Sequence, residues 1–431
     1  MNTHSRQTLL ALAFLALCNP ALGFADPASV EKPLDVKEPP FGEFDYSWTN
    51  GTNRQPDPLL KAGPVTFSLY ADAYYAYQFS NPSDHTIFQT TTAPRHNEIN
   101  LNMAAIGMDL TGMDGPIGRV FLQYGNNVAA DSGQDATLNR GYYLTHATLD
   151  PIQQAAAGWH FHSLHGVNVE FGIFPSYVGL ESYLPEENWS YTHAFLSDFT
   201  PYYFSGSRTQ IFITQRFKLE IWLVNGWQTL GQWHNSRLTG GYLWNWRPTG
   251  RLSASNAFYT GEEEQSDPDA HRYYTDNSIQ YKYFEGSGNA IAKWMAIAVV
   301  GDYGYEVRSR GPGGPMAGLS LAHRLTFTDR WANTLRLDAF YDKTQAVVAT
   351  LPSGAQLQSG QFLAGGVAAT LDFNPSPWLL YRLEYSHRNA NIPYFSGSGG
   401  ISGGTTPPTP NATPDLRKSD DRIVVNVTLR L

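Results

Sequence analysis

From Val65 to Phe79 the chain keeps a two-residue rhythm. Val65, Phe67, Leu69, Ala71, Ala73, Tyr75, Tyr77 and Phe79 fall on one side of an extended strand, and Thr66, Ser68, Asp72, Tyr74 and Gln78 on the other. The run is longer than a typical soluble strand and matches a tilted strand that crosses a bilayer. The rhythm recurs near 98–111, 117–125, 142–149, 166–174, 207–214, 217–225, 237–246 and 250–259, then near 271–283, 292–304, 316–328, 332–342, 361–373, 378–388 and 422–431. That predicts about sixteen strands, with fourteen to eighteen as the range, an even number being the habit of single-chain bacterial barrels.

The connections sort by length. GMDGP (112–116), QR (215–216), RPT (247–249), the turn around Asp329 and NPSP (374–377) are tight. The links 80–97, 126–141, 175–206, 226–236, 260–270, 305–315, 343–360 and 389–421 are long. Short periplasmic turns alternating with long external loops mark a membrane barrel, whereas a soluble sandwich has no reason to segregate loops by parity. Asp150 to His165 and Phe284 to Ile291 break the rule, which points to a misread strand pair there. The expected fold is therefore all-β, a transmembrane antiparallel up-and-down barrel with short periplasmic turns and long extracellular loops. In the last strand, Ile423, Val425, Val427, Leu429 and Leu431 oppose Asn426, Thr428 and Arg430. An alternating final strand with an apolar end resembles the signal read by barrel-assembly machinery, an expected partner.

A β-protein spans hydrocarbon only as a closed barrel, because every backbone N–H and C=O must be satisfied internally. What stands opposite the apolar stripe then describes the lumen. Arg119 opposes Val120, Glu170 opposes Phe171, and Lys218 and Glu220 oppose Leu219 and Ile221. Arg324 opposes Leu325; Arg336, Asp338 and Asp342 oppose Leu335, Leu337 and Tyr341; Arg382 and Glu384 oppose Leu383 and Tyr385. A cationic side chain at the bilayer midplane on the lipid face costs about 2–4 kcal/mol, so these charges face inward. A barrel of about sixteen strands is too wide for side chains alone to fill. The charges either pair across the lumen as structural lining or form a selectivity constriction.

The N-terminus assigns the compartment. Arg6, the uncharged run Leu9–Leu17, Pro20 and the small residues up to Ala25 have the layout of a secretory signal peptide. Residues 1–25 are expected to be a cleaved signal, 26–63 a Pro-rich periplasmic arm, and 64–431 the outer-membrane barrel of a Gram-negative cell. Cys18 is the single cysteine and leaves with the signal, which excludes disulfides and thiolate chemistry from the mature chain. A mean hydropathy of −0.34 is compatible with a barrel, whose two faces average out. The 25 tyrosines and 11 tryptophans suit two interfacial girdles. A net charge of −9 argues against a nucleic-acid partner.

The link 175–206 is the strongest functional candidate outside the strands. It carries many aromatics together with Glu181, Glu186, Glu187 and Asp198. A loop this long in a compact domain is usually functional or disordered. It either folds inward and narrows the pore or caps the barrel outside. His160, His162 and His165 could ligate a metal, but no carboxylate lies among them, and a polar periplasmic connection is the simpler reading. Glu262, Glu263, Glu264, Asp267 and Asp269 form an acidic external loop, solvated or bridging divalent cations near lipopolysaccharide. There is no G-x-S-x-G elbow on a strand-to-helix turn and no phosphate-binding Gly loop. No catalytic residue, metal ligand or cofactor is expected.

FSLYADAYYAYQFSNP followed by APRHNEINLNMAAIGMDL resembles the opening of the β-barrel porin-2 family, OmpL-like. RVFLQY (119–124), Glu181, Pro201, Gly206 and Arg208, VNGW (224–227), RLDAFYD (336–342) and RLEYSHR (382–388) follow in the family's order. The resemblance implies a porin-like outer-membrane barrel and supplies no catalytic residues. The leading expectation is passive diffusion of small hydrophilic solutes or ions, with outer-membrane lipid and lipopolysaccharide around the barrel. The alternatives are a non-conducting barrel with a structural or adhesive role, or a barrel enzyme. Solute, ion preference and oligomeric state stay open.

Overall fold

The computed structural model describes residues 40–49, 59–88, 90–110, 115–131, 135, 137–138, 141–232, 239–263, 267, 269–287, 291–348, 357–401 and 414–431. Alternation is converted into long strands throughout. They are β1 (Val65–Gln78), β2 (Ile99–Leu110), β3 (Pro116–Tyr124), β4 (Ile152–Phe161), β5 (Val167–Pro175), β6 (Tyr203–Thr214), β7 (Phe217–Val224) and β8 (Thr239–Thr249). They continue as β9 (Leu252–Gly261), β10 (His271–Glu285), β11 (Trp294–Val307), β12 (Gly314–Thr326), β13 (Trp331–Asp342), β14 (Phe362–Ser376), β15 (Leu379–Ala390) and β16 (Ser419–Arg430). Each pairs antiparallel with its chain neighbour, and β16 pairs with β1, setting Val425 against Tyr75. Leu69 and Leu431 exchange backbone hydrogen bonds of 3.0 and 2.9 Å across that seam. A two-residue strand, Lys61–Ala62, adds to the edge of β1.

One expected strand is corrected. Residues 142–149 are not extended: Tyr142 and Tyr143 stand 88% and 97% exposed, and His146–Leu149 is a helical turn. The strand of that region is β4, IQQAAAGWHF, taken from the sequence as part of a connection. Its Gln pair and three alanines give little hydrophobic contrast, so the period is faint. With β4 in place, 162–166 becomes a short turn and 125–151 a long loop. The second irregular link keeps its length and moves by two residues, to 286–293.

The outward face carries Phe171, Leu223, Ile279, Leu319, Leu335, Leu337, Leu383 and Val425, all exposed as lipid contact requires. Exposed Trp159, Trp246, Tyr281, Tyr283 and Trp331 ring the short-turn end, and Tyr124, Tyr242, Tyr273, Tyr303 and Tyr305 ring the long-loop end. Those are two interfacial belts. The acidic external loop is not simply solvated. Asp267 accepts hydrogen bonds from Ser309 N (2.8 Å), Arg310 N (2.9 Å) and the Ser309 hydroxyl, tying the loop after β9 to the loop after β11. Glu263 accepts from Trp227 N (3.0 Å) and the Tyr259 hydroxyl.

Leu337 sits mid-strand, opposite Leu321 and Val367. Leu337→Arg is expected to cost about 2–4 kcal/mol in unfolding free energy from lipid vesicles; a cost near zero shows that this face is wet. The Ser309 hydroxyl, then the Arg310 and Ser309 amides, hold the Asp267 carboxyl down to about 2 from an ordinary 3.8. Because the folded value is depressed, the tie is complete above pH 3.8 and fades as pH falls toward 2. Hydrogen exchange at the Ser309 and Arg310 amides should therefore be slow, relative to the intrinsic rate, at pH 5 and lose that protection near pH 2. Equal protection at both values removes the tie.

Candidate functional site

The link 176–202 leaves β5, turns into the barrel and returns to β6. Its shape is set locally. Ser176 Oγ donates to Val178 O (3.0 Å) and accepts from Val178 N (2.9 Å), making the first turn. Ser182 and Asn188 bracket the next: Ser182 N donates to Asn188 Oδ1 and Asn188 Nδ2 to Ser182 O, both at 2.7 Å. Between them Pro185–Glu187 forms a 3-10 turn, and Phe195–Asp198 a single helical turn.

From Glu186 to Asp198 the loop climbs the lumen, and the wall holds it at each level. Arg430 of β16 binds Glu186 (2.9 Å) and Glu187 (2.6 Å) nearest the short-turn end. Arg382 donates to the carbonyls of Pro185 (2.8 Å) and Asn188 (2.9 Å), and Arg324 to that of Trp189 (3.3 Å). Asp372 of β14 ties these two guanidiniums together, 2.7 Å from each. Glu384 accepts Tyr191 N (2.6 Å), Thr192 N (3.0 Å) and the Thr192 hydroxyl. Arg336 donates to the Thr192 carbonyl, to His193 O (2.9 Å) and to Glu181 (3.3 Å). Asp338 accepts Phe195 N (3.1 Å), and Arg388 meets Asp198 (3.3 Å) near the external end. On β1, Asp72 accepts the Tyr191 hydroxyl (2.9 Å), Asn102 (2.9 Å), Asn426 (3.0 Å) and Thr428 (3.1 Å).

Aromatic rings seat the two ends of the loop, the first on β6 and β7 and the second on β13 and β14. Tyr177 stacks on Trp222 at 4.7 Å and on Phe204 at 5.0 Å. Phe199 packs on Phe340 at 4.7 Å and Phe362 at 5.6 Å. Two wall glycines make room. A Cβ on Gly318 would lie 2.7 Å from Leu196 Cβ, and one on Gly241 would lie 2.3 Å from the Tyr177 hydroxyl.

The expected lumen charges all lie on the inner face and divide into two sets. Arg324, Arg336, Asp338, Arg382 and Glu384 converge on the loop, and Asp342 accepts Thr344 N (3.1 Å) and Val347 N (3.0 Å) of the following loop. Glu181, Glu186, Glu187 and Asp198 are the loop's half of this contact. Arg119, Glu170, Lys218 and Glu220 do not join it. Arg119 pairs with Asp109 (2.9 Å), Glu170 with Arg208 (2.6 Å), and Lys218 with Glu220 (2.5 Å), all within the wall. Of the two arrangements open at the outset, the loop folds inward. Asp72, Asp372, Arg388 and Arg430 anchor the loop as well, beyond the charges expected from the sequence, although each stands on the inner face by the same alternation. His160 Nδ1 donates to Asn168 Oδ1 (2.7 Å) at the end of β4. Among the described residues no group of three or more His, Cys, Asp or Glu side chains is arranged to hold a metal ion.

The family model described as "Putative beta-barrel porin-2, OmpL-like" matches residues 64–409. No curated relative matches the chain. Solved structures of similar fold include OmpT of Vibrio cholerae (11% identity, TM-score 0.51), covering 87% of this chain and 100% of that one. An anion-selective porin from Comamonas acidovorans has 9% identity and a TM-score of 0.52, covering 85% and 99%. The outer membrane channel DcaP of Acinetobacter baumannii has 8% identity and a TM-score of 0.51, covering 86% and 99%. At these identities the likeness is one of fold.

Removing one partner of a buried ion pair costs about 3–5 kcal/mol. Asp372→Ala, which strands Arg324 and Arg382, should lose stability on that scale in thermal or urea unfolding in detergent. Arg119→Ala, from a half-exposed pair, should change it by about 1 kcal/mol or less. Equal effects from the two variants contradict this ranking.

Proposed function

This chain belongs to the OmpL-like beta-barrel porin-2 family, and as an outer-membrane porin we propose that it passes small hydrophilic solutes or ions along a lumen narrowed by the loop 176–202. The observation that carries the reading is the ladder of wall charges gripping that loop from Arg430 up to Arg388. Constrictions of this kind set which solutes pass. In this reading Arg324, Arg336, Arg382, Asp338 and Glu384 act on selectivity chiefly by fixing the loop. Arg119, Glu170, Lys218, Glu220 and Asp342 contribute lining charge.

The remaining assignments support the same picture. Residues 1–25 are proposed as a cleaved export signal, 26–63 as a periplasmic arm and 64–431 as the barrel. The alternating last strand suits recognition by barrel-assembly machinery, and lipopolysaccharide is proposed around the external loops. No catalytic residue is assigned; a hydrolytic activity lost on one Ser or His substitution overturns that.

A second reading, a closed barrel with a structural role, is favoured by how tightly the loop fills mid-lumen, where Trp189, Tyr191, Phe195 and Leu196 are buried. Single-channel recording in planar bilayers separates the two. The parent should give stepwise currents, and Glu384→Ala or Gly318→Val, which loosen the loop by different means, should raise conductance about twofold or more. Silence from correctly folded parent and both variants leaves the structural reading standing.

A further inference from the structure

Residues 40–49 of the N-terminal arm lie outside the family match, which begins at residue 64. Its sequence, PFGEFDYSWT, places aromatics at 41, 44, 46 and 48. An exported linker needs none of them, yet Tyr46 and Trp48 are 5% and 4% exposed.

Their partners all belong to the short-turn rim or to the inward loop. Phe41 N donates to Gln215 O (3.0 Å), the Tyr46 hydroxyl to Arg247 O (3.0 Å), and Trp48 Nε1 to Gly250 O (2.9 Å). Arg216 grips Glu43 with two bonds, of 2.8 and 2.5 Å. The Arg247 guanidinium lies 4.9 Å from the Phe41 ring and 4.7 Å from the Tyr46 ring, and Arg216 lies 5.3 Å from Phe44. Trp48 continues inward. Its carbonyl accepts Trp189 Nε1 (3.2 Å), its ring lies 5.9 Å from Lys282 Nζ, and it clusters with Trp189, Ala296 and Ala298. The segment from the periplasmic side thus meets the loop descending from outside.

On the other side of the mouth a cavity of about 440 Å³ remains, with Asp45 and Trp48 in one wall and both cations (Lys293, Arg330, Arg430) and carboxylates (Glu186, Glu285, Asp329) in its lining. We propose that residues 40–49 are a built-in periplasmic stopper that closes the β6–β9 side of the mouth and leaves this vestibule, lined by charges of both signs, as the exit. The stopper rests on the porin reading, but its rim contacts are not those of the loop ladder, which it meets through Trp189. Its holding contacts are rim hydrogen bonds, aromatic–guanidinium stacking and one rim ion pair, all of which can break without unpairing a strand.

The test replaces residues 40–49 by a Gly/Ser segment of equal length, and separately introduces Tyr46→Ala with Trp48→Ala. Each variant is checked for heat-modifiable mobility before recording. Both should raise single-channel conductance about twofold or more over the parent, since they widen a constriction. Both should also make a cysteine at Ala296→Cys, which is buried against Trp48 and lies outside the vestibule lining, in a Cys18→Ser background, reactive to a membrane-impermeant maleimide added on the periplasmic side. Parent-level conductance and continued protection in the folded variants overturn the stopper. If Gly318→Val opens the channel while the arm variants do not, the stopper fails and the porin reading stands. If parent, loop variant and arm variants are all silent, both fail.

Discussion

Everything in this molecule follows from the impossibility of leaving a backbone amide unpaired in hydrocarbon. The chain meets it by closing β16 on β1, so that no strand edge remains in the membrane. Closure divides each strand between two solvents: lipid outside and whatever fills the barrel inside. Once closed, a barrel of this width has an interior too large for strand side chains to fill. The chain fills it with its own loop, and that brings the backbone problem back in a new place.

A non-regular segment inside a barrel carries N–H and C=O groups that no ladder can satisfy. The inner-face charges solve this. Arg382 takes the carbonyls of Pro185 and Asn188, Arg336 those of Thr192 and His193, and Glu384 the amides of Tyr191 and Thr192. An ionised group is well suited to the task, because hydrogen bonds to charge are roughly twice as strong as neutral ones. A guanidinium also offers several donors from one rigid fork. Buried ion pairs are weak evidence for net stability, since desolvation offsets their attraction. Their contribution here is specificity of position: each charge fits one level of the loop.

The barrel itself was readable from the sequence because a period of two and a parity of loop lengths are both local signals. β4 escaped because alanine contrasts poorly with either solvent, and the broken parity around 150–165 marked the place. The inner-face position of every predicted charge was equally legible. Their partners were not. Glu384 and Thr192 are 192 residues apart, and nothing in either neighbourhood says that the loop turns inward rather than outward. A pair such as Lys218 and Glu220, two residues apart on one strand, was visible in advance but lies apart from the loop. The arm escaped for a different reason: its prolines and polar residues resemble a linker, and only the spacing of Phe41, Phe44, Tyr46 and Trp48 hinted at a docked surface.

The two sides of the inward loop differ in what their contacts tolerate. Against β12 to β16 it is held, below the Phe195 and Phe199 rings, by directional bonds between buried charged and backbone groups, where a shift of one residue leaves donors and carboxylates stranded. Against β5 to β9 it is held by stacked rings such as Tyr177 on Trp222 and Phe204. Aromatic contact is broad in geometry and survives sliding. Any widening of the lumen that leaves the ladder intact therefore has to occur along the aromatic side. That is also the side of the mouth where Trp48 and the arm are seated, so the compliant flank of the loop and the segment closing the periplasmic mouth lie on one path through the barrel.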